Sequence, residues 1–411
     1  MVGAVTHGPL HGIRVLDMTR VIAGPYAAQI LGDLGADVVK IERREEGDDI
    51  RQVGPPWMPA AEGATRTSTY YSSVNRNKRS VTVDFTVPEG AALVGEMART
   101  ADVLLENYRT GTLAKYGLDY ESLRKTNPRL VYGSLTGFGQ SGPYAERAGY
   151  DYVAQAMSGL MALTGPADGQ PGAGPTRVGA PVADTTAGLY MTIGVLSALF
   201  HREKTGVGQL VDIGLFDAQM AILLNAFSAW FNAGRALERT GNDHPSAAPY
   251  GVYEVDDGDL LIATFNDREF GRLAAAVGHP EWHHDPRYAK NAARVANRAQ
   301  LKADLREALR GKTRSEWTAL LVAANVSCGP IHDMADVEKD PHVLARQMVV
   351  RQEHPLSGPI HTIASPLRLS ASPVEYRRAP PELGQDTDEV LHAWLELDDD
   401  KIAALRARNV I

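Results

Sequence analysis

Between residues 13 and 135 the chain alternates short apolar runs with longer amphipathic stretches. IRVLDM (13–18) is followed by PYAAQILGDLG (25–35) and ADVVKIE (36–42). SVTVDF (80–85), PEGAALVGEMARTA (88–101), DVLLEN (102–107) and RLVYGSL (129–135) continue the pattern. Such apolar runs suit strands buried on both faces, and the stretches between them suit helices that return the chain to the same edge. That is the pattern of a parallel, doubly wound sheet. The expectation is an α/β fold: a large Rossmann-like domain with a smaller α+β domain.

The character changes near residue 230. PYGVYEVDDGDLLIATF (249–265) reads as a hairpin turning through Asp257-Gly258, and helical patterns follow in DREFGRLAAAVG, NRAQLKADLREALRG and SEWTALLVAAN. From about 335 the chain is Pro-rich and irregular before a charged, helically patterned end. The expected organisation is therefore residues 1–225 in the large domain, 226–334 in the small one, and 335–411 returning to the large one.

Composition narrows the function classes. A formal charge of −8 argues against a general nucleic-acid face, and a single cysteine, Cys328, excludes an intrachain disulfide or a multi-Cys zinc site. MVGAVTHGPLHG lacks the basic start and apolar core of a secretory signal. The longest apolar run, Ala187–Phe200, is short for a bilayer span and reads as a buried helix. A soluble cytoplasmic protein is expected.

Asp184 stands directly before that run, in GAPVADTTAGLYMTIGVLSALF (179–200). It suits a helix N-cap, where its charge meets the positive end of the helix dipole. The sharper alternative is a carboxylate exposed at the helix mouth because it reacts; sequence physics alone favours the cap. A literal GxGxxG at Gly137-Phe138-Gly139-Gln140-Ser141-Gly142 runs into Pro143-Tyr144 instead of a helix, which argues against a nicotinamide site. Its amides are free to approach a ligand or an oxyanion. TRVIAGPYAA (19–28) sets Gly24-Pro25 at a helix entrance, where open α/β sheets bind ligands. Arg43 and Arg44 suit either a phosphate near a ribose or a solvated loop. NRNKRS (75–80) reads as a solvated turn, His283-His284 as surface residues, and Cys328 as a small buried one.

Taken in order, several segments resemble the class III CoA-transferase family (CaiB/BaiF). They are GIRVLDMTRVIAGPYAAQILGDLGADVVKIER (12–43), NRNKRSVTVDF (75–85), ADVLLENYRTGTLAKYG (101–117), SLTGFGQSGPY (134–144), GYDYVAQAMSGLMALTG (149–165), VADTTAGLY (182–190), HREKTGVGQLVDIGLFDA (201–218), CGPI (328–331) and LGQDTDEVL (383–391). The resemblance implies that Asp184 is the catalytic aspartate, which attacks an acyl-CoA thioester and then carries CoA as an aspartyl thioester. A helix N-terminus is expected to help keep it ionised. It also implies CoA contacts at Val21, Ala23, Arg43, Asn107, Tyr108 and Lys115, and makes Gly137, Phe138, Gly139 and Gln140 a candidate oxyanion or substrate loop.

No metal and no tightly held cofactor are implied; coenzyme A enters as a thioester co-substrate. The partners implied are an acyl-CoA, a carboxylic acid and a second copy of the chain in an interlocked homodimer. Ile22, Thr86 and Thr136 replace polar residues of some relatives, and 240–265 lacks a counterpart to the Gly-rich loop of formyl-CoA transferase. The α-methylacyl-CoA racemase branch is the alternative. There a histidine moves the α-proton, but here Tyr150 takes its place, and a tyrosine titrates near 10 rather than near 6.5. A nucleotide-binding regulatory subunit, with Asp184 as a cap only, is the reading from another class.

Overall fold

A computed structural model describes residues 7–59 and 66–411; residues 1–6, part of the stretch read for a signal, lie outside it. Strands β1 (Arg14–Asp17), β2 (Asp37–Glu42), β3 (Lys78–Thr82), β4 (Val103–Glu106), β5 (Val131–Thr136) and β6 (Leu210–Gly214) form one parallel sheet in the order β3-β2-β1-β4-β5-β6. The order reverses between β1 and β4, which opens a crevice at their carboxyl ends. The sixth strand was not foreseen. As an edge strand it is half wet, so LVDIG lacks an unbroken apolar signature.

Successive strand residues enter opposite cores. Leu16, Val39 and Leu104 pack with Leu93, Val94 and Met97 of helix α2 (Pro88–Thr100). Val15, Val38, Val103 and Leu105 pack instead with Ala27, Ala28 and Leu31 of helix α1 (Ala23–Asp33), and with Ala187, Met191 and Val195 of a long helix. Helix α3 (Asp151–Met157) precedes that long helix, α4 (Val182–Thr205). By length and composition α4 could cross a membrane, because it extends beyond the 187–200 run on both sides. One of its faces is nevertheless committed to this core.

Two compact units emerge. The first takes in the described residues up to Ser158 together with Val178–Leu224 and His342–Ile411; the second comprises Gly159–Arg177 and Asn225–Pro341. In the second, the expected hairpin, β7 (Tyr250–Val255) and β8 (Gly258–Ala263), gains an antiparallel neighbour, β9 (Ser327–Pro330). Phe270, Leu305 and Trp317 anchor its own core. Cys328 lies half-buried on β9, where burial raises its thiol pKa. In the first unit, 349–363 forms a hairpin, β10 (Val349–His354) with β11 (Gly358–Ile363), rather than irregular chain. Val390, Leu391 and Trp394 of the helix Thr387–Leu395 complete the α2-side core.

Candidate active site

The loop after β1, which walls the crevice, rests on buried ion pairs. β1 ends on Asp17, whose carboxylate accepts from the Thr19 amide (2.9 Å) and hydroxyl (2.5 Å) and from Lys78 Nζ (2.9 Å). Lys40 Nζ donates to the Thr19 carbonyl (2.6 Å) and pairs with Asp48 (2.9 Å), while the other Asp48 oxygen accepts from the Val21 amide (3.0 Å). The side chains of both ion pairs are fully buried. Burial brings Lys78 down to about 8 even with Asp17 beside it; for Lys40 the neighbouring carboxylates outweigh burial and raise it. The loop then turns through Val21 at φ +69°, a costly conformation for a β-branched residue. The bond from its amide to Asp48, itself paired with Lys40, holds it there.

This arrangement corrects the solvated-turn reading of NRNKRS. Asn75, Arg76, Asn77, Lys78, Arg79 and Ser80 are all buried, and most have partners distant in sequence, such as Asp33 for Arg76 (2.6 Å) and Asp37 for Arg79 (2.5 Å). Arg44 is also spoken for, donating to the carbonyls of Asn409 and Ile411 near the chain end.

Helix α1 leaves this loop and packs on α4 at closest approach through Gly188, where a Cβ would lie 2.7 Å from the Ala23 carbonyl oxygen. The contact sets the first turn of α4, and Asp184 with it, beside the β1–α1 loop. Asp184 does not cap its helix. Pro181 occupies the N-cap without a side-chain bond. Asp151, from the first turn of α3, reaches across instead: its Oδ2 accepts from the amides of Ala183 (2.8 Å) and Asp184 (3.1 Å), and its Oδ1 from Gln155 (2.6 Å). Gly137 and Gly149 hold this loop in place. Their backbones lie so close that a Cβ on either would stand 2.5–2.6 Å from the other's Cα.

With the cap supplied from elsewhere, the Asp184 carboxylate faces the crevice. It shares the wall with Val21, Ala23, Asn107, Tyr108 and Gly137. Burial and, second, the Asp151 carboxylate raise Asp184 to about 7. This reverses the expectation that the helix terminus keeps it ionised: Asp151's full negative charge is spent on the helix-end amides and also opposes a second anion there. Tyr70 feels both carboxylates, and burial first, then Asp184 and Asp151, raise its phenol.

The remaining expected residues divide. Asn107 bridges the loop, accepting from the Arg20 amide (2.9 Å) and donating to the Arg20 carbonyl (2.7 Å), and Tyr108 carries the Arg20 guanidinium over its ring. Arg43 lies off the crevice wall, paired with Asp49 (2.5 Å) and Glu46 (2.9 Å). Lys115 lines a separate groove with Thr86 and Arg99. Beyond Gly137, Phe138 is buried. The Gln140 amide donates to Asp212, and its side chain donates to Ser134 (2.6 Å), so Gln140 lines a different cavity, beside Glu106. Asp151, Arg20 and Arg147 were missed as site residues. Asp151 was visible only as the neighbour of Tyr150, because nothing local links it to an amide 33 residues away.

The model of CoA-transferase family III matches residues 10–387. The chain belongs to that family. It is a family III CoA-transferase, and CoA thioesters are its co-substrates. It is 44% identical to the succinate–glutarate CoA-transferase of Agrobacterium fabrum, over 93% of this chain and 95% of the relative. It is 38% identical to the human succinyl-CoA:glutarate CoA-transferase, over 98% of this chain and 90% of the relative. The crystal structure of a CaiB/BaiF family protein from Brucella suis superposes with a TM-score of 0.84 at 42% identity, covering 94% of this chain and all of that one. Among the described residues no cluster of His, Cys, Asp and Glu could hold a metal ion.

Proposed function

We propose that this family III CoA-transferase moves CoA between dicarboxylic acids through a covalent aspartyl-CoA thioester on Asp184. One observation carries the reading: the Asp184 carboxylate, at the positive end of α4, is freed from capping by Asp151 and left in the crevice. The acids are suggested by the two relatives that act on succinate and glutarate.

In the first step an Asp184 oxygen attacks the thioester carbonyl, the C–S bond breaks, and CoA leaves as thiolate with an acyl–aspartyl anhydride behind it. The thiolate attacks the Asp184 carbonyl of the anhydride, releasing the free acid and forming aspartyl-CoA. The incoming carboxylate attacks that thioester to give a second anhydride, whose substrate carbonyl the thiolate then takes, regenerating Asp184. Only the ionised form begins the cycle, so the raised pKa of Asp184 sets its acid limit. Val21, Ala23, Asn107 and Tyr108 hold the thioester arm, and Arg43 and Lys115, off the crevice, are left to the nucleotide end.

The protein works in the cytoplasm as a homodimer. Leu189, Ile193 and Phe200 form one exposed stripe on α4, an apolar face that a second copy would cover.

The test is incubation with succinyl-CoA followed by proteolysis and mass spectrometry. A CoA adduct on the peptide containing Asp184, absent in Asp184→Asn, is expected together with glutaryl-CoA formation. Deuterium uptake at the α-carbon of a branched acyl-CoA in D2O, with no adduct and no new thioester, would establish the racemase alternative instead.

A further inference from the structure

A dicarboxylate that presents one carboxyl group to Asp184 brings its other carboxylate into a crevice already lined by Asp184 and Asp49, with Asp151 behind it. A cation on the wall must answer that charge. The crevice offers the guanidiniums of Arg20, Arg109 and Arg147. Arg20 is engaged by Asp49 (3.1 Å) and lies over Tyr108. Arg109 directly follows the Asn107–Tyr108 pair assigned to the thioester arm, and it also lines the neighbouring Glu106 cavity.

Arg147 differs from Arg20 in pairing with no carboxylate among the described residues, and from Arg109 in being held against aromatic rings; its side chain makes one hydrogen bond, a long one to Met157 Sδ (3.9 Å). Its guanidinium lies over the rings of Tyr144 (4.5 Å) and Phe138 (5.2 Å). Contacts with aromatic rings engage no carboxylate, so the donor fork that matches one is left without an anion. The chain also ties it to the reacting group. Arg147 is two residues from Gly149, which is pinned on Gly137, and four from Asp151, which holds the Asp184 amide. The backbone that positions the nucleophile therefore positions this cation too.

We propose that Arg147 binds the distal carboxylate of the dicarboxylic acid and so selects dicarboxylic over monocarboxylic substrates. This rests on the dicarboxylate transfer proposed above.

The experiment compares wild type, Arg147→Gln and Arg147→Lys with succinyl-CoA as donor and two five-carbon acceptors, glutarate and valerate. Inhibition by free CoA is measured in parallel. Arg147 is exposed, so both variants are expected to fold, with thermal melts as the control. In Arg147→Gln the kcat/KM for glutarate falls roughly ten- to hundredfold, the scale of a lost hydrogen-bonded charge contact. The kcat/KM for valerate and the inhibition constant of CoA stay within about twofold. Arg147→Lys, which keeps the charge but loses the fork, falls between. A glutarate-to-valerate preference unchanged in Arg147→Gln overturns the proposal; if CoA inhibition weakens at the same time, Arg147 is reassigned to the CoA phosphates. A wild-type protein that transfers CoA to neither acid removes the dicarboxylate reading itself, and this proposal with it.

Discussion

Replacing Asp151 with asparagine tests the electrostatic coupling between Asp184 and the buried carboxylate behind it. The amide oxygen of the substituted side chain can still accept from the α4 amides, so the cap is kept in outline while the charge beside Asp184 is removed. With Asp184 at about 7, roughly one-tenth of it is ionised at pH 6 and about half at pH 7. The acid limb of kcat/KM for acyl-CoA should therefore fall about tenfold per pH unit below 7 in the wild type. Asp151 is the second cause of the raised value, after burial, so the substitution moves the limb to lower pH without abolishing it. The gain is bounded: complete ionisation at pH 6 would raise kcat/KM about elevenfold, and the rate at pH 8, where Asp184 is already mostly ionised, should barely change. The weaker cap costs stability on the order of 1 kcal/mol. Thioester exchange followed chromatographically from pH 5 to 9 reads the profile. A limb that stays in place, or a rate that falls equally at every pH, would refute the coupling.

Asp184→Asn should abolish transfer yet raise the melting temperature at pH 8. A carboxylate whose pKa is raised by folding penalises the native state above that pKa, on the order of a few kcal/mol here, and the penalty vanishes below the unfolded value near 4. The stabilisation should therefore shrink steadily toward pH 4; equal melting-temperature gains at pH 4 and pH 8 would contradict the raised pKa. Gly188→Ala sets a methyl against the Ala23 carbonyl and should cost about 1–3 kcal/mol while lowering kcat, as calorimetry and steady-state rates would show. Lys78→Met leaves Asp17 buried without its cation and should cost about 3–5 kcal/mol by chemical denaturation. Ile193→Glu with Phe200→Glu should yield monomers by light scattering, and dimers that persist in that variant would count against α4 as the subunit contact.

The central strands were legible because a buried parallel strand announces itself locally as an unbroken apolar run. β6 and β9 were not, since LVDIG and SCGP occupy sheet edges and owe their conformation to a single neighbouring strand. The misreading of NRNKRS has the same origin on a larger scale. A lysine looks solvated until its partner is known, and Asp17 lies 61 residues from Lys78. Within the site, Asp184 could be picked out at a helix start, and Val21, Ala23, Asn107, Tyr108 and Gly137 do gather around it. Whether Asp184 caps α4 could not be decided locally, because the cap comes from Asp151, 33 residues away. Arg43 and Lys115, expected in the same set, are held elsewhere by Asp49 and by a different groove.

The path of the chain through the first unit has a consequence for biosynthesis. Its α2-side core includes Val390, Leu391, Trp394, Ile402 and Ile411, and Arg44 closes on the carbonyls of Asn409 and Ile411. The sheet beside Asp184 thus remains open on one face until residues 390–411 have been made. The second unit, whose core residues all fall between Ala248 and Cys328, has its full complement much earlier. During translation the later-starting unit is the first able to close, and the nascent first unit exposes apolar strands while it waits. Loss of the core residues Ile402, Leu405, Val410 and Ile411 should leave it permanently in that state, prone to aggregate rather than merely less active.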